Sequence, residues 1–164
     1  SEVPLKPRYL AELKSNNYML NALTAMAARE RGGTFGIGVD NKGLITEACT
    51  MNFAMVTRER VLKTPPFDSI LKGTTTRKVM QLAESLVRQG VLSAVTQQPI
   101  SLEEARSASE AFLLSGDTHL TSIVTLDGYR IGDGRVGPIS KALRNLLEHD
   151  AAHGEDDHDD LFVS

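Results

Sequence analysis

The sequence predicts an α+β (mixed α/β) domain built on a sizeable sheet, and three observations predict it. Phe35–Val39 alternates as a half-buried strand does, and further short strand-like runs follow as far as Leu62. Two longer segments carry apolar residues at three-and-four spacing, as in helices packed on one side. Glycine- and proline-containing breaks separate these segments, so strands and helices intermix along the chain. The 164 residues suffice for one domain with its own core.

Residues 1–13 read as an extended arm, because Pro4 and Pro7 disfavour helix around them. From about Asn16 to Arg31 a helix is expected, with Met19, Leu20, Leu23, Met26 and Ala27 on one face. Arg29 and Arg31 suit the negative end of its dipole, and Gly32-Gly33 stop it. Phe35–Val39 then reads as a strand, Asp40-Asn41-Lys42-Gly43 as a turn and Leu44–Glu47 as the returning strand. Phe53–Val56 and Val61–Leu62 give two more strands, and Thr64-Pro65-Pro66 breaks the sheet.

Thr75–Gln89 predicts a second helix ended by Gly90, with Val79, Leu82, Ala83, Leu86 and Val87 inward. A strand follows near Val91–Thr96. Ser101-Leu102-Glu103-Glu104 has the spacing of a capping box, in which hydroxyl and carboxylate satisfy opposite backbone donors. Strands are expected at Ala111–Leu114 and Ser122–Leu126, then a turn at Asp127-Gly128. A last helix runs from Pro138, suited to a first turn, to about Leu147.

Composition bounds the function. Hydrophobic residues make up 41% and charged ones 24%, the ordinary globular range. No apolar run approaches the roughly 20 residues that a bilayer span needs. The one cysteine, Cys49, has no partner for an internal disulfide, which fits a reducing compartment. A chain opening Ser1-Glu2-Val3-Pro4 reads as trimmed. We therefore expect a soluble intracellular protein, with plastid and mitochondrion open as destinations after loss of a targeting peptide. Net charge is −3, but seven acids lie between Glu148 and Asp160, and the rest holds 18 basic against 14 acidic residues. A mildly basic body suits anionic small ligands. No Lys/Arg stripe is interleaved with aromatics, so nucleic acid is not expected. Residues 149–164 read as an acidic, disordered tail, in which His149, His153 and His158 fit no fixed metal geometry.

Lys14 is one of seven lysines and by position alone reads as a solvated surface residue. Its company changes that reading. Glu47 ends a strand, and Leu71-Lys72-Gly73-Thr74-Thr75 places a glycine and hydroxyls where a helix begins. Backbone N–H groups there can bind a phosphate, favoured by the helix dipole. A lysine, a carboxylate and a phosphate cup are what a protein must offer pyridoxal 5'-phosphate.

At these residues the chain resembles the fold-type IV (class IV) aminotransferases, which include branched-chain aminotransferases, D-amino-acid aminotransferases and aminodeoxychorismate lyases. The segments that carry the resemblance stand in family order. They are Leu13-Lys14-Ser15-Asn16-Asn17-Tyr18, Ile45-Thr46-Glu47-x4-Asn52, Thr64-Pro65-Pro66, Leu71-x-Gly73-x-Thr75, Ala108–Phe112, Ser115-Gly116 and Ile131–Pro138. The Lys-x-x-Asn-Tyr-x-x-Asn start and the Met51-Asn52 pair are most similar to the plant-type D-amino-acid aminotransferase and aminodeoxychorismate lyase group. The same resemblance resolves Gly132-x-Gly134-x-x-Gly137, literally a dinucleotide fingerprint, as a structural turn, since no βαβ unit surrounds it.

The resemblance implies the large C-terminal cofactor domain of that fold, over residues 14–148, without the small N-terminal domain that completes the pocket. It implies a homodimer, and transamination between an amino acid (D-amino acid or branched-chain type) and a 2-oxo acid. Lys14 would form the Schiff base with the cofactor and shuttle the substrate's Cα proton. Glu47 would meet the pyridine nitrogen, and Gly73, Thr74 and Thr75, with Thr118, would hold the phosphate. Tyr18 would either reach the cofactor's phenolic oxygen or belong to the core, and Asn52 would brace the Glu47 loop. Three residues depart from the pattern: Ala48 for Gly, expected to push a methyl toward the ring; Thr76 for Arg; and Asp117 for a phosphate-binding Thr. Two alternatives follow: a lyase releasing pyruvate from aminodeoxychorismate, and an inactive domain kept as a structural subunit. Cys49 reads as a small packing residue, since no histidine lies near it in sequence to activate it.

Overall fold

The computed structural model describes residues 19–68, 70–116 and 119–153. The expected arm at 1–13, and the tail beyond His153, lie outside the described residues. Helix α1 spans Met19–Glu30, and β1 (Ile37–Val39) and β2 (Ile45–Ala48) form the expected antiparallel hairpin. Its turn is closed by Asp40, whose Oδ1 accepts from the N–H groups of Lys42 and Leu44, each at 2.8 Å. Gly43 supplies the positive φ of 78° that this turn requires.

Strand β3 (Asn52–Val56) is the centre of the molecule, and all five of its residues are buried. It pairs antiparallel with β2 at Glu47↔Asn52, with β4 (Val61–Thr64), and along its whole length with β6 (Glu110–Ser115). Beyond β4 lies β5 (Ala94–Gln97), joined in parallel; beyond β6 lies β7 (His119–Ile123), antiparallel. A parallel pair needs a crossover connection, and helix α2 (Thr74–Arg88) provides it.

Both faces of the sheet are covered, which explains why β3 has no polar face. Because successive side chains of a strand point to opposite faces, Ala54, Val56, Phe112 and Leu114 form one core with Val79, Ala83 and Leu86 of α2. Helix α4 (Pro138–His153) adds Ile139, Leu143 and Leu147 to the same core. Phe53, Met55, Ala111 and Leu113 face the other way, against Ile45, Ile100, Ile131 and Ala105 of the short helix α3 (Leu102–Arg106). At the start of α3, Ser101 Oγ accepts from Glu104 N–H at 3.0 Å, one half of the predicted box. The Glu104 carboxylate is instead paired with Lys63 of β4 at 2.5 Å.

Three boundaries differ from expectation. The strand foreseen at Val91–Thr96 begins only at Ala94. After Gly90, at φ 71°, Val91 and Leu92 turn their N–H groups back to Leu86 O and seal the end of α2. The strand foreseen at Ser122–Leu126 is two: β7 ends at Ile123, and β8 (Thr125–Leu126) turns off to pair with β9 (Tyr129–Arg130). Arg106 holds that small hairpin, paired with Asp127 at 2.9 Å and lying 4.8 Å from the Tyr129 ring centroid. Helix α4 continues past Leu147 to His153, so residues 149–153 are helical. Lys78 of α2 pairs with Asp150 at 3.2 Å, a tertiary contact that extends the helix beyond its apolar face.

Candidate active site

Glu47 and Asn52 face each other across the β2–β3 turn. Glu47 Oε2 accepts from Leu71 N–H at 3.1 Å and, more weakly, from Asn52 Nδ2 at 3.4 Å. The same Asn52 amide donates to Leu71 O at 3.0 Å, and its Oδ1 accepts from Thr76 Oγ1 at 2.8 Å. Asn52 and Thr76 are both buried, so these polar atoms depend on one another for partners. Thr76, a departure from the family pattern, thus has a place in the interior.

Two residues beyond Leu71, Gly73 caps the start of α2 with extended geometry (φ −62°, ψ 132°) and no side-chain cap bond. A glycine is required here by space rather than by φ, because a Cβ would collide with Asn52 Oδ1. Thr74 is exposed, and Thr75 Oγ1 donates to Ser115 O at 3.2 Å, tying the first turn of α2 to the end of β6. Gly116 follows with open space around it among the described residues. A carboxylate fixed by N–H donors, a helix N-terminus without a side-chain cap and the β6 end therefore converge at one corner of the sheet. This donor set fits what pyridoxal phosphate would need, a carboxylate for its ring nitrogen and a helix N-terminus for its phosphate.

Of the residues singled out in the sequence, the structure brings together Glu47, Gly73, Thr74 and Thr75. Lys14, Tyr18, Asp117 and Thr118 lie outside the described residues. The Leu71 N–H and the Ser115 carbonyl were not foreseen; being backbone groups, they leave no mark on residue identity. Ala48, next to Glu47 in β2, is buried with Ile45, Met51 and Phe53. Cys49 is half-buried, and its thiol donates to Asn21 O of α1 at 2.8 Å.

The glycine-rich loop at 132–137 is occupied by protein. Gly132 and Gly134 have φ of 56° and 78°, and a Cβ on Gly137 would strike the Glu110 carboxylate. That carboxylate accepts from Ile139 N–H (2.9 Å), Ser140 N–H (2.7 Å) and Ser140 Oγ (2.6 Å). Glu110 thus fills the anion position at the start of α4, where a dinucleotide pyrophosphate would have to sit.

With this geometry in place, comparison with known proteins is decisive about ancestry. Residues 2–126 match the amino-transferase class IV family, and the chain belongs to that family. The chloroplastic D-amino-acid transaminase of Arabidopsis thaliana is 37% identical over 155 residues, covering 94% of this chain and 42% of that protein. The branched-chain-amino-acid aminotransferase of Escherichia coli K12 is 34% identical over 132 residues, covering 80% and 41%. A solved structure of the Escherichia coli branched-chain amino acid aminotransferase superimposes with a TM-score of 0.78 at 31% identity, over 92% of this chain and 49% of that one. The chain therefore spans less than half the length of these relatives.

Proposed function

We propose that this chain is the cofactor-binding part of a pyridoxal 5'-phosphate-dependent aminotransferase, acting between an amino acid and a 2-oxo acid. The observation that carries the reading is the corner where Glu47, held by Leu71 N–H and Asn52, lies beside the start of α2. When bound, the cofactor supplies an electron sink that lets an amino acid lose its Cα proton. Glu47 would hold a proton at the ring nitrogen, a role supported by the Leu71 N–H and the Asn52 amide that orient its carboxylate. Gly73 keeps the first turn of α2 clear of side-chain caps, so the Thr74 and Thr75 N–H groups can receive the phosphate. Lys14, by its place in the motif, is assigned to hold the cofactor aldehyde and then to move the proton at Cα. Thr118 is assigned to the phosphate, and Tyr18 to the cofactor's phenolic oxygen or to the core.

The similarity to the plant D-amino-acid transaminase favours D-amino acids, and that to the branched-chain enzymes favours branched-chain substrates. The chloroplastic relative also supports a plastid location.

The full-length protein mixed with pyridoxal 5'-phosphate is expected to be yellow, and Lys14→Ala to abolish the band. A colourless wild-type protein in excess cofactor would overturn the reading. Given the band, D-alanine, branched-chain amino acids and aminodeoxychorismate assayed in turn choose among transaminase and lyase activities.

A further inference from the structure

We infer that Thr76 is a positioning residue for the carboxylate assigned to the cofactor ring, acting through Asn52. The inference rests on the aminotransferase reading and adds to it a hydrogen-bonded chain from the phosphate-binding helix to Glu47.

The chain follows from what each atom can do. Asn52 is buried and offers one acceptor oxygen and two N–H groups. Leu71 O can only accept, so the atom of Asn52 that meets it at 3.0 Å must be Nδ2. With Nδ2 on that side, its second N–H reaches Glu47 Oε2 at 3.4 Å, and Oδ1 is left facing α2. The hydroxyl of Thr76, itself fully buried, donates to Oδ1 at 2.8 Å. Gly73 lets Oδ1 come this close to α2, since a Cβ there would occupy the oxygen's place. Leu71 closes the circuit: its N–H donates to the same Glu47 oxygen, while Gly73 N–H donates to Leu71 O at 2.8 Å.

Removing the Thr76 hydroxyl breaks this circuit at a place from which it cannot relax. Oδ1 would face an apolar wall with no donor, which a buried acceptor tolerates poorly. The amide cannot escape by flipping, because the flip would set Oδ1 against Leu71 O and the Glu47 carboxylate. It must move instead, and Glu47 and the Leu71–Gly73 segment, both bonded to it, move with it. Carboxylate and phosphate cup are thereby one mechanical unit, registered to each other through Thr76.

The test uses the full-length protein loaded with pyridoxal 5'-phosphate labelled with 15N at the ring, comparing wild type, Thr76→Val and Thr76→Ser. Valine keeps the shape and removes the hydroxyl; serine keeps the hydroxyl. We expect Thr76→Val to bind the cofactor about tenfold more weakly, the scale at which groups that orient a ligand-holding side chain act. Its ring-nitrogen resonance should shift toward the unprotonated position, as in Glu47→Gln, and Thr76→Ser should restore both readings. In an Asn52→Ala background, Thr76→Val should add nothing further. A wild type that does not bind the cofactor overturns the aminotransferase reading, and this inference with it. A wild type that binds, with Thr76→Val matching it in affinity and resonance, overturns the positioning role alone. Should Thr76→Val not fold, Asn52→Ala in place of it must show the same resonance shift, and an unshifted resonance overturns the role.

Discussion

At the scale of single residues, two carboxylate-centred networks, one around half-buried Glu47 and one around buried Glu110, do different work. Glu47 accepts hydrogen bonds at the corner we assign to the cofactor, whereas Glu110 spends its carboxylate on the protein's own helix α4. Glu110 accepts three hydrogen bonds while only 6% exposed, and Gly137 leaves the room for it. Glu110→Ala should therefore strand two N–H groups and a hydroxyl, and remove an anion from a helix N-terminus. We expect a loss of about 2–4 kcal/mol in stability, read by urea unfolding. A loss within about 0.5 kcal/mol, the range of an inert surface change, would show that the network is not holding α4 in place.

At the scale of elements, β3 and the helices packed on it set the geometry of the site. The apolar faces of α2 and α4 share one core with β3 and β6, and Leu143 sits in it with no exposed surface. Leu143→Ala should cost about 2–5 kcal/mol by lost burial and the cavity left behind, and lower the thermal midpoint. The same packing fixes where α2 begins, and so where its first N–H groups point. We therefore expect Leu143→Ala, once folded, to keep its cofactor band, because Glu47 is held by Leu71 and Asn52 while Leu143 packs in the core on α2. A band lost from a folded variant would mean that the site depends on α4 more directly than its contacts indicate.

At the scale of the whole molecule, the chain covers 42% and 41% of two relatives and 49% of a solved structure. Activity is therefore a property to be tested on the full-length protein. No helix among the described residues is long and apolar enough to cross a membrane. A groove of about 880 Å³ opens between α1, β1 and the β7–β8 corner, but neither Glu47 nor the start of α2 lines it. Volume alone would have pointed away from the residues to which the chemistry is assigned. The homodimer implied by the family resemblance should appear in light scattering as twice the mass of one full-length chain, and a monomeric mass would contradict it.

Most elements were legible in the sequence because their signals are local. The alternation through Phe35–Val39, the Asp40–Gly43 turn and the three-and-four spacing of Val79, Ala83 and Leu86 each report on neighbours a few residues away. The seven segments from Leu13-Lys14 to Ile131–Pro138, standing in family order, pointed to the family that the match over residues 2–126 shows. What the sequence could not determine depends on distant partners. The continuation of α4 to His153 rests beside Lys78, seventy-two residues before Asp150. The burial of Ala48 depends on Ile100, Ala111 and Leu113, which the fold brings into the same core from far along the chain. The Thr76–Asn52–Glu47 circuit spans 24 residues between its first two members. Pattern along a chain fixes which residues can do chemistry; only the folded sheet decides which oxygen meets which N–H.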